Sequence, residues 1–399
     1  MDRRMIIILL ILFTTFTGFG MIIPTLPAAI RDAVGSEAAE LHLGAMLSLY
    51  SLMSLIFSPL WGWTSDRFGR RPVILSGMIG FAVSFWLLAI SGTSLGLMYA
   101  SRVLGGMFSG AAIASSVAYV ADITSEETRT KGMGFVGMAI GLGFIFGPAI
   151  GGIGTRVSPA FPFVLAALFS LAIAVVGAFV LPESLTPEER SRRGGAENVP
   201  RGAVWQGPMK VLFALSFLVT FTLAAVESTL VYFEGLKIGA DEFQMGLMFA
   251  MIGVVGAIVQ GGIVRRIPKG SETRAAEVGF ILSAVGFVLI TLSFSFWSAT
   301  AFVSIFAIGN ALQRPNITSL ITQKTPAGLG VTSGVNSAMD SLGRILGPLI
   351  GSALYHWNVY VPYLAGAVIS ILAVLLIRFG LGADAENRTV AQSSGRLRT

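Results

Sequence analysis

Residues 62–72 read GWTSDRFGRRP and stand between two apolar runs, residues 43–63 and 72–92. As an α-helix rising about 1.5 Å per residue, a run of about twenty residues crosses the ~30 Å hydrocarbon layer of a bilayer. The segment between the runs is short and dense in arginine and glycine. This pattern predicts two membrane-spanning helices joined by a tight, positively charged turn.

The same alternation of apolar runs and charge clusters extends along the whole chain. Its 399 residues are 54% hydrophobic and 12% charged, with a mean hydropathy of +0.78, whereas soluble domains are about 25% charged. A membrane β-barrel would alternate polar and apolar residues, but runs such as residues 5–12 are apolar on every face. We therefore expect an all-α membrane protein with twelve spans: 5–30, 43–63, 72–92, 97–120, 132–154, 161–182, 208–233, 243–264, 275–295, 298–322, 331–355 and 360–382.

The basic residues predict the orientation of these spans. With the amino terminus in the cytoplasm, all but six of the 27 Lys and Arg residues fall in cytoplasmic segments. Because basic residues concentrate in cytoplasmic loops, both termini are predicted to lie in the cytoplasm, and the chain is predicted to span the bacterial cytoplasmic (inner) membrane. The net charge of +6 then reflects topology, not nucleic-acid binding. The six exceptions are Arg31, Arg156 and Lys237 in outer loops and Arg102, Arg314 and Arg344 within spans.

A polar stretch divides the spans into two sets of six. We predict an N-terminal half at residues 1–182, a cytoplasmic linker at 183–207, a C-terminal half at 208–382 and a polar cytoplasmic tail at 383–399. The linker is marked by Pro187, Pro200 and the pair Gly194-Gly195. The sequence GPAIG at 147–151 returns as GPLIG at 347–351, which favours an internal duplication of the kind found in transporters.

The loop at residues 62–72 resembles the signature loop of the major facilitator superfamily, G-x-x-x-D-R-x-G-R-[RK]-[PK]. The resemblance implies a twelve-helix transporter with two pseudo-symmetric six-helix halves. The loop is expected to act as a cytoplasmic latch that holds the halves together, with its carboxylate at a helix end near Thr332 and Ser333 and its guanidinium groups on acids. The latch residues are Gly62, Asp66, Arg67, Gly69, Arg70, Arg71 and Asp122.

Further motifs narrow the resemblance to the drug/proton antiporters of the NorA/Bmr group and the related tetracycline exporters. The first span reads GFGMIIPTLP at residues 18–27, and the fourth carries Arg102 in an R-x-x-x-G-x-x-x-[GA] pattern. The fifth span resembles the antiporter motif G-x-x-x-G-P-x-x-G-G. These resemblances imply proton-coupled export of lipophilic or cationic drug-like compounds. The antiporter motif comprises Gly143, Gly147, Pro148, Gly151 and Gly152.

Such an exporter needs a carboxylate within the membrane that exchanges its proton for cargo. Glu227, deep in the seventh span, matches the acidic residue of the family's seventh helix and is our first candidate, and Asp340 is the second. Arg344 follows Asp340 by one helical turn, so a local ion pair is the alternative. Arg102 is expected to face the cavity or a carboxylate and to contribute to coupling, the alternative being a guanidinium that reaches the outer surface.

The substrate surface is expected to combine aromatic, sulfur-containing and polar side chains, because adaptable side chains suit a promiscuous site. Arg314 is predicted to lie on this surface and to pair with Asp340. A wider aromatic set includes Phe213 and Phe306. Lipid-facing or packing roles are the alternative for each residue. The principal candidates are Phe16, Phe144, Met138, Phe221, Arg314 and Asn310.

Other functions and cofactors fit the sequence less well. The same fold exporting a sugar or small metabolite is the main alternative, whereas an enzyme is not expected because His42 and His356 are predicted to lie in outer loops without a partner cluster. The chain has no cysteine and two histidines, so we expect no metal site and no cofactor. No G-x-x-x-x-G-K-[ST] loop is present, which favours an ion gradient as the energy source. The predicted partners are the cargo, protons and lipid around a functional monomer, with sodium left open as the coupling ion.

Overall fold

The computed structural model describes residues 2–36, 38–185, 205–268, 270–325 and 329–396. This part of the chain contains twelve α-helices and no β-strand. The helices are α1 Arg3–Val34, α2 Ala39–Phe68, α3 Arg70–Ala89, α4 Leu95–Ile123, α5 Glu126–Thr155, α6 Phe161–Val180, α7 Met209–Ile238, α8 Glu242–Ile258, α9 Glu272–Ile290, α10 Phe296–Lys324, α11 Leu329–Trp357 and α12 Val361–Arg396.

The predicted all-α membrane fold is confirmed. Eleven of the helices described are long and apolar enough to cross a membrane, α8 together with its continuation to Arg266. The remaining helix, α11, carries Asp340 and Arg344 among many serine and glycine residues. The helix that falls short in apolar character is therefore one that holds a candidate coupling residue.

Several helices extend beyond the apolar runs that predicted them. Helix α7 ends at Ile238, followed by Gly239 with φ +68°, and α2 continues to Phe68. As a result the charged turn after α2 is reduced to Gly69, whose φ of +107° suits glycine. Asp66 lies in the last turn of α2, and Arg70 begins α3. Backbone hydrogen bonding continues past the apolar segment, so hydropathy underestimates helix length.

The described residues group into two compact units. The first unit falls within Met1–Glu197, Glu227–Val254 and Pro348–His356, and the second within Asn198–Val226, Val255–Gly347 and Trp357–Thr399. In the first unit α1 is the most enclosed helix and packs mainly against α5, α6 and α4. Four positions of the predicted linker, Pro187, Gly194, Gly195 and Pro200, lie outside the described residues. The predicted division into six-helix halves stays a prediction.

A similar close helix crossing occurs once within each unit, at the two Gly-Pro pairs on which the prediction of a duplication rests. In α5, a Cβ at Gly147 would lie 2.5 Å from the carbonyl oxygen of Thr17 in α1. In α11, a Cβ at Gly347 would lie 2.5 Å from the carbonyl oxygen of Phe221 in α7. Small residues allow the two backbones to approach this closely. Gly147 and Gly347 are 200 positions apart in the sequence, and the residues that they approach, Thr17 and Phe221, are 204 positions apart.

Candidate functional site

A cluster of polar side chains lies where α7, α10 and α11 meet in the second unit. Asp340 of α11 accepts hydrogen bonds from the hydroxyl groups of Ser216 and Thr220 of α7, both at 3.0 Å to its Oδ1. Its Oδ2 lies 3.4 Å from a guanidinium nitrogen of Arg314 on α10. The predicted contact between Arg314 and Asp340 is therefore confirmed. Three donors hold the carboxylate in place, and it keeps one-fifth of its surface exposed (20%).

Glycine at position 343 allows this arrangement. A Cβ there would lie 2.8 Å from the backbone nitrogen of Phe221, so a larger residue would push α11 away from α7. The alternative of a local ion pair between Asp340 and Arg344 is wrong: within the described residues, Asp340 pairs with Arg314 instead. The i,i+4 spacing places Asp340 and Arg344 on one face, but the close helix contact offers donors from two other helices.

Two asparagine side chains in the same unit have a polar atom without a hydrogen-bond partner in the described part of the chain. The Nδ2 of Asn310, one turn before Arg314, and the Oδ1 of Asn336, one turn before Asp340, are buried without a hydrogen-bond partner in the described part of the chain. Gln313 differs, because its Nε2 donates to Ser283 at 2.8 Å. Asn310 and Asn336 can therefore offer one donor and one acceptor to a bound molecule.

Helix α7 carries two acidic residues beyond this cluster. Glu227 is partly buried and lies two turns beyond Thr220, and Glu234, two turns further on, is fully buried. Sequence analysis missed Glu234 because the predicted span ended at residue 233. Gly239 directly after the helix is the signal that would have extended the span, since glycine is typical of the position that follows a helix.

Arg102 in α4 is enclosed by aromatic rings. It is 1% exposed, and its guanidinium carbon lies 5.8 Å from the ring centre of Tyr50 and 5.9 Å from that of Phe85. One nitrogen donates to Ser101 at 3.0 Å, and the buried Nε has no partner in the described structure. Of the expected surroundings, a cavity or a carboxylate, no carboxylate pairs with Arg102 in the described part of the chain. The alternative of a side chain that reaches the outer surface is wrong, because Arg102 is buried. Its part in coupling stays a prediction. Cation–π contact with two rings replaces the ion pair.

The signature loop forms an ion-pair cluster centred on Arg70, which is 5% exposed, with Asp122 buried and Asp66 partly exposed. Its guanidinium lies 2.7 Å from Asp66 Oδ1 and 3.1 Å from Asp122 Oδ2, and it donates to Ser65 at 2.8 Å. We call Asp66, Arg70 and Asp122 the latch cluster. The predicted pairing of a loop guanidinium with Asp122 is confirmed. The contact predicted between Asp66 and the start of α11 stays a prediction.

Glu183 supports the latch cluster, although its sequence position suggested a linker residue. Its two oxygens accept hydrogen bonds from the backbone nitrogens of Arg70 at 2.8 Å and Arg71 at 3.1 Å. A carboxylate at this end of α3 satisfies backbone donors and interacts favourably with the helix dipole. Arg67, in contrast, lies over the rings of Trp63 and Phe68 at 5.3 and 5.5 Å.

The antiporter motif gives α5 two packing faces. Gly143, Gly147 and Gly151 lie against the backbone of α1, and Gly20 of α1 lies against Pro148. On the other face, a Cβ at Gly152 would lie 3.0 Å from the Cα of Gly246 in α8. The motif therefore brings α1 and α8 close to the same helix. Two earlier glycines of α5, Gly137 and Gly141, face open space instead.

The predicted substrate-surface residues fall into different environments. Phe16 and Phe144 pack ring to ring at 5.2 Å in the first unit, Phe221 stacks on Phe217 at 5.5 Å in the second, and Met138 is 57% exposed. Phe213 and Phe306, in contrast, are at most 2% exposed and belong to the packed interior, so their assignment to a substrate surface is wrong.

Both histidines have partners at the end of the first unit opposite the latch cluster. His42 lies 3.0 Å from Tyr99, and His356 lies 2.8 Å from Glu40. Both lie within helices and not in the predicted loops, and each contacts a single partner that is distant in sequence. Nearby, Arg156 pairs with Asp241 at 2.9 Å. These contacts connect α2 with α4 and α11, and the end of α5 with the start of α8, within the first unit.

Comparison with known proteins extends these observations. The family model of the Major Facilitator Superfamily matches residues 8–348. Multidrug resistance protein 1 of Bacillus subtilis is 30% identical, with 93% of this chain and 94% of the relative covered. Tetracycline resistance protein, class C, of Escherichia coli is also 30% identical, with 95% and 97% covered. The resemblance inferred from the motifs is thereby confirmed.

Among solved structures, a variant of the nucleoside transporter NupG superposes with a TM-score of 0.76. Its sequence is 13% identical, and the match covers 94% of this chain and 99% of that structure. At 13% identity this structural similarity supports the fold alone.

Proposed function

This chain belongs to the Major Facilitator Superfamily, and from that premise we propose that it is a proton-coupled antiporter that exports lipophilic or cationic drug-like compounds. The premise makes it a multi-pass membrane transporter, which separates it from the enzymes considered from sequence. The relatives named for multidrug and tetracycline resistance support drug-like cargo. The protein then works by alternating access, in which the cargo site opens to one side of the membrane at a time.

The observation that carries the proposal is the hydrogen-bonded carboxylate of Asp340 beside unused amide groups. Ser216, Thr220 and Arg314 orient this carboxylate, and it remains partly exposed. Asn310 and Asn336 supply a donor and an acceptor one turn away on α10 and α11. An acid within a membrane helix is costly unless it serves an ion or a substrate. The cluster is suited to exchange a proton for a polar or cationic group of the cargo.

Glu227 is the second participant in the proposed exchange. It lies on α7, and Ser216 and Thr220 of the same helix donate hydrogen bonds to Asp340. A change of charge at Glu227 or at Asp340 therefore alters the contacts of α7. We propose that one of the two acids carries the proton while the other contacts the cargo. Arg102, held between Tyr50 and Phe85, contributes a fixed positive charge in the first unit.

The moving parts of the cycle are proposed to be the latch cluster and the glycine crossings. The ion pairs of Arg70 hold α2, α3 and α4 together at one end of the first unit. The contacts of Gly147 with α1 and of Gly152 with α8 provide flat surfaces on which helices can rock. Pro148 between them lacks the amide hydrogen that would stiffen this part of α5.

We place the protein in the bacterial cytoplasmic membrane with both termini in the cytoplasm, working as a monomer in contact with lipid. The distribution of basic residues supports this orientation. Export of a sugar or another small metabolite is the second candidate function. The unused amide atoms of Asn310 and Asn336 favour it, since such groups recognise hydroxyl-rich cargo.

The test begins with expression of the chain in an efflux-deficient bacterium exposed to a panel of toxic lipophilic and cationic compounds. We expect raised tolerance to several of them and loss of that tolerance when a protonophore is added. Purified protein in vesicles should then move the same compounds only when a pH difference is imposed. Vesicles carrying a sodium difference instead identify the coupling ion.

Glu227→Gln is the matched variant, because it removes the charge and keeps the shape. It should abolish pH-driven transport, whereas Asp241→Asn, at an exposed ion pair, should not. Transport that proceeds equally with and without any ion difference would reject the proposed coupling. Movement of sugars but not of lipophilic cations would transfer the assignment to the second candidate.

A further inference from the structure

A basic cavity lies where the start of α1, the start of α3 and the end of α6 meet in the first unit. Its volume is about 560 Å³, and it is lined by Asp2, Arg3, Arg4, Arg71 and residues 179–182. It is separate from the Asp340 cluster, and it uses two arginines, Arg3 and Arg4, to which the proposed transport cycle gives no role.

The charges around this cavity are mostly positive. Asp2 caps α1 by accepting from the Arg4 backbone nitrogen at 3.2 Å, and its other oxygen lies 3.8 Å from Arg4 Nε. Arg3 is exposed and has no ion-pair partner among the described residues. Arg71 donates to the carbonyl oxygen of Ala178, while its buried Nε has no hydrogen-bond partner in this part of the chain. Three guanidinium groups thus lie at this site with the carboxylate of Asp2, and the Glu183 carboxylate beside Pro182 already accepts from the Arg70 and Arg71 backbone nitrogens.

The opposite wall of the cavity is apolar and continues into a membrane-facing surface. Phe179 is 86% exposed, and it ends a row of exposed apolar residues that runs along α6. In a membrane-spanning helix such a face contacts acyl chains. The arginines lie beside the end of this apolar surface. The arrangement suits a lipid whose anionic headgroup contacts the arginines while its acyl chain covers the apolar row. The exposed row comprises Leu168, Phe169, Leu171, Val175, Val176 and Phe179.

We propose that this cavity binds the headgroup of an acidic phospholipid, with the phosphate between the guanidinium groups and an acyl chain along α6. Guanidinium groups bind phosphate oxygens through paired hydrogen bonds, and basic pockets between membrane helices recognise anionic headgroups. A zwitterionic lipid also brings a cation toward the arginines, so it binds more weakly. A soluble phosphate lacks the chain that covers Phe179.

The experiment uses the purified full chain in detergent, incubated with either phosphatidylglycerol or phosphatidylcholine of the same acyl chains, and counts retained lipids by native mass spectrometry. We expect preferential retention of phosphatidylglycerol. Arg3→Gln/Arg4→Gln should lower that retention about tenfold, because each arginine near an anionic headgroup contributes favourably. Arg3→Lys/Arg4→Lys should keep most of it.

The control is Arg265→Gln/Arg266→Gln, which removes an adjacent exposed arginine pair at the end of the α8 continuation in the other unit. It should leave retention unchanged. Phe179→Ser tests the acyl-chain contact and should also weaken retention.

Three results would overturn the proposal. One is equal retention of the two lipids, and another is unchanged retention in the folded glutamine variant. The third is displacement of the lipid by millimolar glycerol phosphate, which would show a site for soluble anions instead. Because binding is read without transport, these outcomes are independent of whether the protein exports drugs.

Discussion

In the first unit, the Nδ1 of His356 lies 2.8 Å from Oε1 of Glu40 and joins the end of α11 to the start of α2. The carboxylate is 9% exposed, whereas the imidazole is half exposed. Helices α2 and α11 are in close contact one turn after Glu40, where a Cβ at Gly44 would lie 2.6 Å from the carbonyl oxygen of Pro348.

This contact predicts that the imidazole of His356 stabilises the junction of α2 with α11. Because the chain has no cysteine, Leu41→Cys/Ala353→Cys supplies two unique sites for spin labels on the two helices. We expect a narrow label-to-label distance distribution while His356 contacts Glu40.

His356→Asn in the same labelled protein should broaden this distribution, because it removes the imidazole that contacts Glu40. His42→Asn is the control, because the ring of His42 contacts Tyr99 and not a carboxylate. A distance distribution that His356→Asn leaves unchanged would show that other groups control this junction.

Asp340→Asn should lower pH-driven transport at least about tenfold, since it weakens several charge-assisted hydrogen bonds, each worth about 1.5–3 kcal/mol. Thr220→Val should give a smaller loss, because it removes one of the three donors to the carboxylate. The measurement is the initial rate of cargo movement in vesicles with an imposed pH difference.

Thr318→Val is the control for this series, because the Thr318 hydroxyl donates to the Arg314 carbonyl oxygen and not to Asp340. Arg314→Lys should keep part of the activity. Rates for Asp340→Asn equal to those of the parent would remove this cluster from the proposed mechanism.

Gly147→Ala should destabilise the protein, because the added Cβ would lie 2.5 Å from a backbone carbonyl oxygen of α1 that cannot easily move. Overpacking of this kind costs about 1–3 kcal/mol. The unfolding midpoint in detergent should fall accordingly.

Gly141→Ala on the same helix provides the comparison. Nothing lies within 4 Å of a Cβ at Gly141, so the variant should gain up to about 1 kcal/mol from alanine's higher helix propensity. Equal effects of the two substitutions would show that the α1–α5 crossing is not as tight as the structure has it.

Arg70→Gln should destabilise the first unit by about 3–5 kcal/mol, because it takes this cation away from the buried carboxylate of Asp122. Arg70→Lys should rescue little, since one ammonium group cannot reach Asp66, Asp122 and Ser65 together. Thermal unfolding of the purified protein measures both effects.

Arg67→Gln is the matched control, because this exposed guanidinium lies over two rings and bridges no acids in the described structure. Its unfolding midpoint should stay close to that of the parent. If Arg67→Gln destabilises as much as Arg70→Gln, net charge would account for the effect, not the buried pairs.

The amino-acid sequence was sufficient for the architecture and for several contacts. Apolar runs long enough to cross a bilayer predict helices whatever their neighbours, and the family motifs correctly paired the signature loop with Asp122. The pairing of Arg314 with Asp340 was also predicted, from two charges within otherwise apolar spans. Such charges are rare and need compensation, so few partners are available.

Two of the errors share one cause, which is the choice among partners that are distant in sequence. Spacing offered Arg344 to Asp340, but hydroxyl groups of α7 and a guanidinium of α10 occupy the carboxylate. Arg102 was expected near an acid and lies instead between Tyr50 and Phe85. Glu234 was left in a loop because hydropathy stops where the helix does not.

By itself, then, the sequence determined that this chain is a bundle of membrane helices of the Major Facilitator Superfamily, because the cost of burying polar backbone in lipid depends on local composition. Only the tertiary structure decided which groups meet when no rare pair of charges pointed to them. The close crossings at Gly343 and Gly44 set the distances of α11 from α7 and α2. Those distances bring Ser216 and Thr220 to Asp340 and Glu40 to His356, and no local pattern in the chain contains these contacts.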